Sequence, residues 1–69
     1  MNEADVLNSL RCTNQEYLGD GVYFGMDPIG FGYWLVARRE NMMHSIYLEP
    51  AVHANLLRVF EAATEGGAK

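Results

Sequence analysis

The chain has a single cysteine, Cys12, and so cannot close an internal disulfide. Histidine is also scarce. His44 and His53, taken with Cys12, show no zinc-like spacing, so neither a metal nor another cofactor is expected. Basic residues are outnumbered, five Lys and Arg against nine Asp and Glu, for a formal net charge of −4. Contact with a phosphate backbone needs clustered cations, and Arg38-Arg39 is the one basic pair, so direct nucleic-acid binding is not expected. No apolar run approaches the roughly 20 residues of a membrane helix. The opening Met1-Asn2-Glu3-Ala4-Asp5 has neither the basic flank nor the apolar core of a signal peptide. Together with a lone thiol, which suits a reducing compartment, this points to the cytosol.

What is present is a 69-residue chain of which 49% is hydrophobic, enough for one small packed domain over residues 1–69. A core of this size is thin, and with disulfide and metal set aside, a partner subunit is expected to supplement it. The acidity is concentrated at the front. Glu3, Asp5, Glu16, Asp20 and Asp27 stand against Arg11 alone in residues 1–28, whereas acids and bases cancel in residues 29–69. Asp5, Glu16 and Asp20 are candidate contacts for a basic protein surface, and they serve equally as a solubility device.

Residues 3–11 read as a short helix, with Ala4, Val6, Leu7 and Leu10 on one face and Asn2 as its N-cap. Cys12-Thr13-Asn14 breaks the pattern. Gly19-Asp20-Gly21 is a turn that opens a strand over Val22 to Met26. Asp27-Pro28-Ile29-Gly30 is a second turn, followed by a strand from Tyr33 to Arg38. Glu40-Asn41 turns the chain again into a strand from Met43 to Leu48. Pro50 suits the first position of a helix, and Val52, Leu56, Val59, Phe60 and Ala63 make one apolar stripe, with Arg58 outside it. Gly66-Gly67 ends that helix, and Lys69 is expected to fray. The fold class is therefore α+β. The expected architecture is a three-stranded antiparallel β-meander with the C-terminal helix packed on one face and a short N-terminal helix in front.

Alternation divides the sheet into two apolar faces. One carries Val22, Phe24, Tyr33, Leu35, Ala37, Ile46 and Leu48, where the C-terminal helix is expected to lie. The other carries Tyr23, Trp34, Val36 and Tyr47. Something must cover these aromatics. Either they form a partner or self-association site, as aromatic clusters commonly do, or residues 3–11 fold back over them. A third reading stacks nucleotide bases on them. Under the self-association reading the chain is a homodimer with Trp34 near the contact.

No constellation carries a reaction, and the chain is not expected to be an enzyme. Gly19-x-Gly21 lacks the third glycine of a dinucleotide fingerprint and leads into a strand, where the fingerprint requires a helix. His44 and His53 sit at packed or edge positions, and Cys12 has no histidine at a catalytic spacing.

Two segments, Tyr17-Leu18-Gly19-Asp20-Gly21-Val22-Tyr23 and Ile46-Tyr47-Leu48-Glu49-Pro50, together resemble a widespread group of small proteins encoded by bacteriophages and prophages. The resemblance runs from about Tyr17 to Glu61. It is poor from Phe31 to His44, and it does not include the N-terminal helix. It implies a small accessory viral product, active in the host cell. Products of this kind often bind a host protein, and they include inhibitors of bacterial immune systems such as anti-CRISPR proteins. The function expected is thus non-enzymatic inhibition of a host protein. The competing expectations are an oligomeric protein that sequesters a nucleotide signal and a self-associating structural or regulatory phage protein.

Overall fold

A computed structural model describes residues 2–67. The chain runs α1 (Glu3–Ser9), β1 (Thr13–Gly19), β2 (Val22–Met26), β3 (Tyr33–Arg39), β4 (Met42–Leu48) and α2 (Pro50–Gly67). The α+β class holds, but the antiparallel sheet has four strands in the order β1-β2-β3-β4, where three are expected from the sequence. The additional strand, β1, is formed by the segment that breaks the helical pattern after residue 11. Among the described residues no helix is long and apolar enough to cross a membrane. The expected fraying of Lys69 falls outside the described residues.

Local chemistry accounts for the connections. Asn2 caps α1 in a reciprocal box: its side chain accepts from Asp5 N at 2.9 Å, and its own N donates to Asp5 Oδ2 at 2.9 Å. The helix ends in a left-handed residue, Arg11 at φ 59°, with Arg11 N donating to Asn8 O and Cys12 N donating to Leu7 O. That closure aims the chain back along the sheet. Two hairpins then share one turn type. Asp20 and Gly21 both have positive φ, as do Glu40 and Asn41, and each pair joins its strands by a two-residue loop.

The best-buried residues lie between α1 and the sheet. Leu7 and Val36 are 1% and 0% exposed, Cys12 joins them, and Val6, Leu10, Tyr23, Trp34 and Met43 pack around the cluster. Gly25 makes the approach possible, because a Cβ there would sit 2.6 Å from Cys12 Cβ and 3.0 Å from Leu7 Cδ2. The aromatic face is thus the one that α1 covers.

The C-terminal helix corrects the expected architecture. It forms from Pro50 onward, as the apolar spacing predicts, but it does not lie on the sheet. Val52, Leu56, Leu57, Val59 and Phe60 are all about half exposed or more. One residue, Glu49, separates β4 from α2, and its carbonyl already accepts from His53 N at 2.9 Å. A residue that precedes proline is also held out of the helical region. The link therefore has no slack with which to reverse the helix onto its own sheet. The chain extends over 42 × 30 × 16 Å.

Candidate functional site

Tyr23, Trp34 and Tyr47 share one face of β2, β3 and β4, with Tyr23 opposite Val36, one row away from the Trp34–Tyr47 pair. Trp34 and Tyr47 are cross-strand partners with ring centroids 5.2 Å apart, and the Tyr23 ring lies tilted against that of Tyr17 of β1 at 4.9 Å. All three are half-buried, with Tyr23 and Trp34 packed against the Leu7 cluster under α1. Among the described residues Trp34 Nε1 is buried without a hydrogen-bond partner.

The candidate acids are not brought together. The Asp5 carboxylate is engaged in the α1 cap. Glu16 is on β1 opposite Phe24, on the face away from α1. Asp20 stands at the β1–β2 turn, fully exposed, 3.6 Å from Arg39, whose guanidinium also donates to Asp20 O at 2.7 Å. Cys12, the lone thiol, is buried, and burial pushes it up from its ordinary pKa, with the Asp27 carboxylate adding to the shift.

Two features emerge that the sequence does not mark as exposed surfaces: a loop expected only to turn the chain, and a sheet face expected to lie under the C-terminal helix. The first is the loop between β2 and β3. Ile29 and Phe31 project from it 91% and 87% exposed. The loop is braced from within: Gly30 N donates to Asp27 Oδ2 at 2.7 Å, and Asp27 N donates to Gly32 O at 3.1 Å. The Tyr47 hydroxyl packs so close that a Cβ at Gly30 or Gly32 would lie 2.7 or 2.6 Å from it. Two large apolar side chains are therefore held in water on a constrained turn. The sequence signal was present in Ile29-Gly30-Phe31-Gly32, where turn glycines alternate with side chains that a turn does not need.

The second is the sheet face opposite α1. Phe24 pairs with Leu35, which pairs with Ile46, and Tyr33 pairs with Leu48. Phe24 and Tyr33 rings lie 5.0 Å apart, and Ile46 is 59% exposed. At the end from which α2 departs, Phe24, Phe31, Tyr33, Leu48, Pro50 and His53 line an open apolar cleft of about 270 Å³. Its polar feature is the contact of the Tyr33 hydroxyl with His53 Nδ1 at 2.7 Å.

Comparison of the chain with family models, with curated proteins and with solved structures finds no match.

Proposed function

We propose that this chain is a non-enzymatic binding protein that inhibits a partner protein by occupying it, in the manner of small phage accessory proteins directed against host defence. The observation that carries the reading is the braced loop with Ile29 and Phe31 in water. Apolar side chains fixed on a rigid turn lose little conformational freedom when they enter a partner's pocket, so the burial is kept as affinity. Central apolar anchors of this kind carry most of the energy of a protein interface. The partner is therefore a protein with an apolar socket, and the host cell is where it is to be found.

The test is retention of a host-lysate protein by the immobilised chain, compared with Ile29→Asp and Phe31→Asp variants. Either substitution is expected to abolish retention while circular dichroism shows an unchanged fold. Undiminished retention of the same protein by both variants would remove the loop from the binding surface.

A second reading, sequestration of a nucleotide signal by an oligomer, is favoured by the cleft beside Tyr33 and His53, whose aromatic walls would stack a base. It requires nucleotide to be released on denaturation, with absorbance near 260 nm in excess of the protein's own. The inhibitory reading requires its absence.

A further inference from the structure

We infer that two copies of this chain exchange their C-terminal helices, each α2 lying on the open sheet face of the other. Neither surface is satisfied within one chain. The side of α2 that carries His53 also carries Leu56, Leu57 and Phe60, at spacings of three, four and seven residues. His53 meets Tyr33 at the end of the open face, so the helix stripe continues directly from that face. The one-residue link at Glu49 keeps the helix from turning back onto its own sheet. Only another chain can bring such a helix to it.

Size agrees with this. A compact folded chain of 7.8 kDa exposes about 4,400 Å² of surface, whereas this chain exposes 5198 Å². The surplus of about 800 Å² is the area that one member of a standard protein pair buries. The radius of gyration is 13.6 Å, against about 11 Å for a compact domain of this length. An 18-residue helix is about 27 Å long, and seven-residue strands reach about 23 Å. One helix therefore spans one sheet face along its strands.

A two-fold axis makes the exchange reciprocal and closed. It also fixes polarity. The helix of the second copy begins at the Tyr33–Leu48 end and finishes over the end that holds Arg39 and His44. Glu61 and Glu65 are in the last turns of that helix, at the end of the sheet where Arg39 is already paired with Asp20. The aromatic face stays with α1. Phe31 lines the cleft at the Tyr33–Leu48 end of the exchanged surface, whereas Ile29 is not among the residues that line it. Ile29→Asp is therefore the substitution that tests partner binding apart from assembly.

The experiment is cross-linking in a Cys12→Ala background. Chains carrying Leu35→Cys and chains carrying Leu56→Cys, mixed under mild oxidation, are expected to form mixed disulfide dimers several-fold in excess of either self-pair. Preferential self-pairing of Leu56→Cys chains would show helix against helix and overturn the exchange. A disulfide closed within one chain that carries both substitutions would overturn it too. The unsubstituted protein gives an independent reading: isotope-filtered NMR of a labelled and unlabelled mixture must show contacts between copies from Leu56 and Phe60 to Leu35 and Ile46. Their absence would refute the inference whatever the variants do.

Discussion

The Tyr33 hydroxyl lies 2.7 Å from His53 Nδ1, and the two rings meet edge to face at 5.3 Å. This pair ties the last element to the sheet and sets the direction in which α2 leaves it. A hydrogen bond of this kind contributes about 0.5–1.5 kcal/mol. Tyr33→Phe should lower the free energy of unfolding by about 1 kcal/mol, read by urea titration. His53→Ala should do at least as much, since it also removes the ring contact.

Gly25 is where α1 meets β2. Gly25→Ala places a methyl 2.6 Å from Cys12 Cβ, and overpacking of a small core typically costs about 1–3 kcal/mol. Trp34 lies under the same segment. The variant is expected to melt earlier, and its tryptophan emission should shift to the red as α1 is pushed away.

Arg11 holds a left-handed conformation, φ 59°, at the end of α1. Glycine takes that position without the steric cost that a side chain carries. Arg11→Gly should relieve about 1–2 kcal/mol of left-handed strain and give back about 0.4–1 kcal/mol through the freer unfolded chain, leaving a net stabilisation visible as a raised melting temperature.

The Cys12 thiol gives a pH dependence. Burial, and secondarily Asp27, raise its folded pKa. As pH rises, the unfolded chain loses the thiol proton first, so the folded state binds more protons through that window. The contribution of Cys12 is full below the ordinary thiol range near about 8.5 and declines above it. Denaturant titrations on both sides of that range should show stability falling more steeply for the unsubstituted chain than for Cys12→Ala. In the folded protein the thiol should react with a disulfide reagent only slowly.

Much of this architecture is legible in the residues, for identifiable reasons. Asp20-Gly21 and Glu40-Asn41 announce their turns, Asn2 and Asp5 announce a helix start, and period-two alternation sorts the side chains of β2, β3 and β4 correctly onto two faces. The strand β1 is harder to see. Thr13-Asn14-Gln15-Glu16 is polar and exposed, the register against β2 shifts twice, and Asn14 has positive φ. An edge strand of that composition carries no alternating apolar signal. Of the two covers offered for the aromatic face, the fold-back of residues 3–11 is the one that forms, and Gly25 held that signal, since a glycine inside a strand marks close approach of another segment. Packing of α2 on the aliphatic face failed for a different reason: an apolar stripe and an apolar face match in character, but matching does not say whether the connection lets them meet. The unpaired state of α2 follows from Glu49-Pro50, where the missing linker is a matter of length and not of residue type.

The exchange of α2 changes what the helix substitutions mean. In a single chain Leu56 and Phe60 are 47% and 62% exposed, so replacing them should cost little. Between two chains they are interface anchors. Sedimentation equilibrium of the unsubstituted chain and of Phe60→Asp at micromolar concentrations decides between these situations. Helix exchange gives twice the chain mass for the unsubstituted protein, and the single-chain mass for Phe60→Asp with its sheet circular dichroism retained. An unsubstituted protein that sediments at its single-chain mass up to high micromolar concentration would contradict it.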